Sequence, residues 1–329
     1  MGISSLVYGP VPSRRLGRSL GVNNIPPKVC SYSCVYCQLG RTEKTQVKRQ
    51  IFYEPEGLAN SVYGKVRQLR EKNEPIDYIA FVPDGEPTLD ANLGKEIDLL
   101  KKTGIKTAVI TNSSIIQRED VREDLRKADW VCLKVDAVTA DVWKRINRPY
   151  ATLNINNILE GILGFAGTFK GELTTETMLI RNINDDISEI NKIAGFLEEL
   201  KPAKAYLSVP TRPTAEQVKP ASERSINAAF QTFSKKLKRV ECITGYEGNA
   251  FSSTGNARED LLSITAVHPM REDAVQELLN RSGKGRDTVQ RLVSEGSLVE
   301  VKYHGKKFYA RRTAGTIPDN RDINPAVLK

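Results

Sequence analysis

Three cysteines fall inside eight residues, at Cys30, Cys34 and Cys37, directly after a short apolar run. Thiolate is the ligating form of cysteine, and three thiolates in one tight loop suit a metal centre. The spacing Cys-x3-Cys-x2-Cys can cap three irons of a cubane and leave the fourth iron with no protein ligand. Zinc would draw on the same residue type, but a structural zinc site takes four Cys or His, and the chain has only His268 and His304, both far along the sequence. Unligated thiols are the remaining reading, because a disulfide would leave one of the three unpaired. Five cysteines, an odd number with three clustered, do not make a secreted disulfide framework. Cys132 and Cys242 stand alone, and Cys132, inside a strand-like run, reads as a small buried hydrophobe.

A loop of this kind needs a scaffold. Six short β-branched or aromatic runs end in polar or Gly/Pro residues: Leu20 to Asn24, Asp77 to Pro83, Lys106 to Thr111, Trp130 to Asp136, Glu172 to Ile180 and Ala205 to Pro210. Between and after them lie amphipathic stretches near 56–72, 91–103, 117–128, 153–166, 186–200 and 214–237, long enough for crossover helices. This alternation calls for an α/β fold with a parallel sheet and outer helices. Six units fall short of the eight in a closed barrel, so the expectation is a partial (β/α)6 barrel over residues 1–245, with its site at the carboxyl ends of the strands. A doubly wound sheet is the alternative, yet no Gly-x-Gly-x-x-Gly follows the first strand.

The grammar changes after Gly245. Residues 246–257 read as a linker, followed over 258–313 by a second, smaller domain with apolar positions for three short helices and two alternating strands, Leu298 to Tyr303 and Phe308 to Arg311, around the turn His304-Gly305. Three helices and a hairpin make a winged helix-turn-helix pattern. Residues 314–329 read as an irregular tail. No run approaches the roughly 18 apolar residues of a membrane span, and the first six residues carry no secretory pattern, so no membrane partner is expected and the cytoplasm is the expected location.

The formal charge of +9 is unevenly spread. Residues 1–50 carry eight basic side chains, among them Arg14, Arg15 and Arg18, against Glu43, a local +7. Residues 281–312 carry nine, including Lys284, Arg286, Arg291, Lys302, Lys306 and Lys307, against three acids, a local +6. The rest sums to −4. Two basic segments on a slightly acidic body predict a polyanionic partner; a solvated basic face is the plainer alternative.

The cysteine loop, with aromatic Tyr36 before the third cysteine, resembles the signature of the radical S-adenosylmethionine (SAM) superfamily. The resemblance implies a 4Fe-4S cluster on Cys30, Cys34 and Cys37, with SAM chelating the open iron and yielding a 5′-deoxyadenosyl radical on reduction. It implies further that Gly85-Glu86-Pro87 receives the SAM amino group, that Asn112, Ser113, Lys134 and Asp136 contact its ribose and carboxylate, and that Tyr36 lies beside its adenine. Arg181, ending the fifth run, either pairs a carboxylate or faces solvent. More narrowly, Tyr8-Gly9-Pro10-Val11-Pro12-Ser13-Arg14-Arg15-Leu16-Gly17 followed by the cysteine loop resembles a group related to the wyosine-forming tRNA synthases. Those synthases hold an additional cluster on cysteines upstream of this motif. Here none precedes Cys30, so the radical machinery carries over and the ring-forming reaction does not.

Three functions compete on these features. RNA, and tRNA in particular, is the expected substrate, with Arg14, Arg15 and Arg18 near the barrel mouth and Lys284, Arg286, Arg291, Lys306 and Lys307 on the second domain as its contacts. A protein or peptide docked on the second domain is the next reading. An iron-sulfur, redox-sensing DNA-binding regulator is the third, but it gives the barrel and Gly85-Glu86-Pro87 no purpose. An enzyme of this kind also needs an electron donor such as flavodoxin or ferredoxin. Classical acid-base and nucleophilic schemes lack support, since neither histidine falls in the barrel.

Overall fold

The structure, a computed structural model, describes residues 6–245 and 247–312. The expected tail and the start of the chain lie outside the described residues. Along the first part of the chain run β1 (Val7–Ser13), β2 (Gly17–Val22), α1 (Pro55–Glu71), β3 (Tyr78–Phe81), α2 (Leu93–Leu100), β4 (Lys106–Thr111), α3 (Glu119–Leu125), β5 (Trp130–Lys134) and α4 (Ala140–Asn147). They are followed by α5 (Ile155–Ala166), β6 (Glu172–Met178), α6 (Ile187–Leu200), β7 (Lys204–Ser208), α7 (Glu223–Lys236) and β8 (Val240–Ile243). The eight strands form one curled sheet in the order β1 to β8, parallel from β2 onward, with β1 antiparallel to β2.

The six expected units correspond to β2 through β7. Two strands flank them that the six-unit count left out. β1 and β2 form a hairpin whose first strand, Val-Tyr-Gly-Pro-Val-Pro-Ser, is broken by prolines, which suits an edge position. β8, Val-Glu-Cys-Ile, buries only Ile243, so no apolar run marks it. α4 was also missed, although its ends make sense: Lys144 and Arg145 sit in the last turn, and Arg148 closes it in the left-handed conformation.

Period-two alternation explains the two sides of the sheet. Ile79, Phe81, Val109, Val131 and Leu133 point outward into the large core shared with the helices. Ala80, Ala108, Trp130, Cys132 and Tyr206 point inward, where Leu16 from the β1–β2 turn and Ile243 join them to plug one end of the barrel. The helices are started by recognisable devices: Pro55 at the head of α1, and the side chains of Asn154, Asp186 and Ser222 accepting backbone N–H groups at α5, α6 and α7.

Beyond β8 come α8 (Ala257–Val267), β9 (Met270–Arg271), α9 (Glu272–Arg281), α10 (Asp287–Ser294), β10 (Leu298–Tyr303) and β11 (Lys306–Arg311). β10, β11 and β9 make a small antiparallel sheet. The apolar cluster of this region takes in Tyr8 and Val11 of β1, so the C-terminal elements share a core with the edge of the barrel sheet. No helix among the described residues is long and apolar enough to cross a membrane.

Candidate active site

The segment between β2 and α1 is largely irregular, so its shape must come from outside. The carboxyl end of α4 supplies one clamp: Ser33 N–H donates to the Asn147 carbonyl at 3.1 Å and Val35 N–H to that of Ile146 at 3.0 Å. The turn after β3 supplies another, since Glu86 N–H donates to the Val29 carbonyl at 2.9 Å and Lys28 N–H to that of Asp84 at 2.7 Å. Gly85 permits this approach, because a Cβ there would stand 2.1 Å from the Val29 oxygen. Arg49 ties the far end of the loop, donating to the Thr88 carbonyl at 3.0 Å and pairing with Asp120 at 2.9 Å and with Asp124.

Held in this way, Cys30, Cys34 and Cys37 line one cavity of about 280 Å³ at the carboxyl ends of the strands. Each sulfur faces one nitrogen donor. Asn112 Nδ2 lies 3.6 Å from Cys30 Sγ, Asn147 Nδ2 lies 3.4 Å from Cys34 Sγ, and Lys28 Nζ lies 3.7 Å from Cys37 Sγ. Burial pushes the Cys34 thiol up to about 12, with the negative field of Asp136 adding to it, and moves Cys30 in the same direction. Such thiols stay protonated until a metal takes the proton's place. Among the described residues no three His, Cys, Asp or Glu side chains cage a single metal ion. A cubane makes a different demand, one thiolate to each of three irons, and its sulfurs stand around the cluster rather than around one ion.

The expected contacts divide into three groups. Tyr36, Gly85, Glu86, Asn112 and Lys134 line the cavity with the cysteines. The Glu86 carboxylate, however, is fully engaged by the protein: it accepts from Thr88 N–H at 3.1 Å, Thr88 Oγ1 and Thr111 Oγ1 at 2.6 Å, and Asn112 N–H at 2.7 Å. It therefore fastens the turn to β4. The free carboxylate oxygen is its neighbour's: Asp84 is buried on the cavity wall, its Oδ1 has no hydrogen-bond partner among the described residues, and burial lifts its carboxyl to about 6 against the opposing pull of Lys28. Asp136 sits behind the wall, accepting from the Tyr36 hydroxyl, from Asn147 Nδ2 at 3.0 Å and from Met178 N–H at 2.9 Å. Pro87 and Ser113 are buried in the supporting turns, away from the cavity lining. Arg181 is exposed and its backbone N–H bonds the Lys219 carbonyl, so the solvent-facing reading holds for it.

The cavity floor holds residues that the sequence did not single out. Glu176 of β6 accepts from Arg15, from Lys134 at 3.1 Å and from Ser208 at 2.8 Å. Burial alone would raise its pKa, but Arg15 and Lys134 override this and hold it well below the glutamate range. Lys134 in turn pairs with Asp136 at 3.3 Å and stands 5.1 Å from the centre of the Tyr36 ring. An acid amid the threonines of Thr174-Thr175-Glu176-Thr177 was the available signal.

Arg14, Arg15 and Arg18 of the N-terminal basic segment are engaged by the protein, while Arg41, Lys44 and Lys48 of the same segment are exposed. Arg15 lies in the barrel against Glu176, and Arg14 donates to the carbonyls of Ile243 and, at 2.5 Å, Gly245. Arg18 pairs with Glu74 at 3.2 Å at the other end of the barrel from the cysteine loop. The expectation that these three form a basic face near the mouth is corrected accordingly: buried acids and carbonyls had claimed them. The C-terminal set differs. Arg286, Arg291 and Lys307 make only long contacts of 4.0, 3.7 and 3.6 Å to acids, and Lys284, Lys302 and Lys306 have no ion-pair partner among the described residues.

Residues 24–197 match the family described as the Radical SAM superfamily. A UPF0026 protein of Methanocaldococcus jannaschii is 46% identical over 310 residues, covering 93% of this chain and 96% of that one. The "Probable dual-specificity RNA methyltransferase RlmN" of Thermotoga sp. (strain RQ2) is 28% identical over 59% of this chain and 56% of its own. Among solved structures, that of TYW1 with a lysine-pyruvate adduct bound superposes with a TM-score of 0.50 at 21% identity, covering 67% of this chain and 74% of that chain.

Proposed function

The chain belongs to the radical SAM superfamily, alongside the UPF0026 proteins, and from that premise we propose that it is an RNA-modifying enzyme, with tRNA as its substrate. Superfamily members carry a 4Fe-4S cluster and SAM. When bound and reduced, the pair supplies a 5′-deoxyadenosyl radical. The residues present fit these groups. Cys30, Cys34 and Cys37 hold three irons in this reading, and the donors Asn112, Asn147 and Lys28 on their sulfurs stabilise the thiolate charge. The unpartnered Asp84 oxygen beside Gly85 is matched to a cationic amino group. In this reading Lys134 and Asn112, on the cavity wall, receive an anionic or hydroxylated part of SAM, and the Tyr36 ring offers a flat face on the same wall.

The observation that carries the RNA reading is the exposed cationic face of the C-terminal unit, which we take as a winged-helix-like docking module over residues 258–313, joined by 246–257 to a barrel over 1–245. The RNA-methyltransferase relative agrees with this reading. A base would be drawn from its stack into the cavity while the module holds the backbone, and a donor such as flavodoxin or ferredoxin would deliver the electron. The test is mass spectrometry of tRNA from cells lacking this chain. One missing nucleoside mass, restored by the parent and not by Cys30→Ala, is the expected result. Unchanged tRNA together with a missing peptide mass would overturn it in favour of a protein substrate.

A further inference from the structure

The cavity that starts at the three thiols ends at a group of cations with no part in holding the cluster. Arg14, Arg15 and Arg212 line its far wall, and a second cavity of about 130 Å³ continues past the same guanidiniums to His268 and Glu247. Arg15 is neutralised by Glu176. Arg14 and Arg212 instead face Glu247, whose side chain is only 2% exposed. The carboxylate touches Arg212, lies 2.9 Å from His268 Nε2 and 4.0 Å from Arg14 Nε. Gln38 Oε1 accepts from Arg212 at 2.8 Å and completes the ring.

Glu247 belongs to no regular element. It rides on the segment that leaves β8 and crosses to β1, the opposite edge of the same sheet. Arg14 holds the start of that segment through the carbonyls of Ile243 and Gly245, and Ser252 N–H holds its end by donating to the Pro10 carbonyl at 3.1 Å. Between these two ties the Glu247 carboxylate is turned inward, toward Arg14, Arg212 and His268.

We infer that Arg14, Arg212 and His268 form a subsite for a phosphate group of the substrate, and that Glu247 fills it in the empty enzyme as a displaceable stand-in. Guanidinium groups recognise carboxylate and phosphate through the same paired N–H geometry. Charge suits phosphate: Arg14 and Arg212 converge on the place where the Glu247 carboxylate sits, and two cations match a dianion better than a single carboxylate. The subsite opens onto the cavity of the cysteines, so a phosphate held there directs the rest of its nucleotide toward the reactive end. The inference rests on that cavity being the catalytic one.

The test is titration of the full chain with inorganic phosphate at constant ionic strength, followed by phosphorus NMR. Glu247→Gln should bind phosphate at least about tenfold more tightly than the parent, the factor by which a stand-in present nine-tenths of the time weakens an outside ligand. Adding Arg212→Gln should abolish the gain. In the parent, saturating phosphate should speed amide exchange over residues 244–252, a readout that needs no variant to fold. Equal affinity in parent and Glu247→Gln, a gain that survives Arg212→Gln, or unchanged exchange overturns the subsite. Competition then separates the sources of phosphate. Displacement by a short RNA supports both the subsite and the RNA reading, whereas displacement by a nucleoside monophosphate alone supports the subsite and removes RNA. Displacement by neither overturns it as a substrate site. Phosphate binding requires neither cluster nor SAM, so failure here leaves the radical reading intact.

Discussion

Glu176→Gln keeps the outline of a side chain and removes one charge from the centre of a buried network. In the parent, Glu176 accepts from Arg15, Lys134 and Ser208. The variant leaves Lys134 with Asp136 at 3.3 Å. Among the described residues Arg15 has no second carboxylate, and its Nε is already buried without a partner. One buried guanidinium is thus left uncompensated, the circumstance in which breaking a buried pair costs about 3–5 kcal/mol. For a chain of this length the corresponding fall in Tm is about 4–7 °C. The double variant Arg15→Met/Glu176→Gln removes the orphan and should recover more than half of the loss, because replacing both members of a buried pair is often close to neutral. Urea unfolding of the three proteins in the same cluster state measures both quantities. The pH dependence has a definite sign. The folded pKa of Glu176 is depressed below its ordinary 4.5, so its contribution is complete above that value and is lost as pH falls toward the folded pKa. The gap between parent and Glu176→Gln should be flat from about pH 5 to 7 and narrow below about 4.5. A single-variant loss under about 1 kcal/mol, or a double variant no more stable than the single, would refute the assignment of Arg15 to the interior.

Gly85→Ala places a methyl 2.1 Å from the Val29 carbonyl and 2.8 Å from Ile25 Cδ1, so the cysteine loop must move; iron retained per chain after anaerobic reconstitution should fall several-fold with the far-ultraviolet circular dichroism unchanged, and full iron loading would contradict the clamp. Cys34→Ala should lose the brown 4Fe-4S chromophore and the formation of 5′-deoxyadenosine; keeping both would remove this residue as a ligand. Asn147→Leu deletes the N–H facing Cys34 Sγ at 3.4 Å, and loss of a donor to sulfur should make the reduction potential more negative in an anaerobic redox titration; an unchanged potential would show that the contact does not reach the cluster.

The elements with long periodic patterns were readable because period-two and helical spacing dictate which side of a residue is buried. β2 to β7 emerged in that way, as did the three helices and the hairpin beyond β8. β8 buries only Ile243, and α4 shares the β5–β6 crossover with α5 where one helix per unit was expected. The cysteines were readable because ligand spacing is local. The donors to their sulfurs were not, since Asn147 stands 113 residues from Cys34 and Asn112 stands 82 from Cys30, and only the closing of the sheet brings them together. Glu86 shows the converse: its triplet marked the right turn, while the carboxylate proved to be committed to Thr88, Thr111 and Asn112.

Charge is the feature that local reading mistook most, and the correction has a measurable consequence. A sequence gives the sign of a side chain but not its partner, and each arginine of residues 1–50 has one within the protein, while Lys44 and Lys48 stay exposed. Arg14, Arg15 and Arg49 are taken up by the barrel and its turns, and Arg18 and Arg41 by Glu74 and Glu216. The cations left to meet a polyanion on the C-terminal face are Lys284, Arg286, Arg291, Lys302, Lys306 and Lys307. Six phosphate contacts give a logarithmic salt slope of roughly −4 to −5 for RNA binding. Exchanging Lys284, Lys302 and Lys306 together for Gln removes three of them and should reduce the slope by roughly 2 to 3, since each contact contributes about 0.7 to 0.9. Exchanging Arg18 and Arg41 for Gln should leave it unchanged, because exposed ion pairs release no condensed counterions from RNA. Filter-binding titrations across a salt series distinguish the two sets, and equal slope changes for both would mean that the N-terminal arginines leave their acids to meet the substrate.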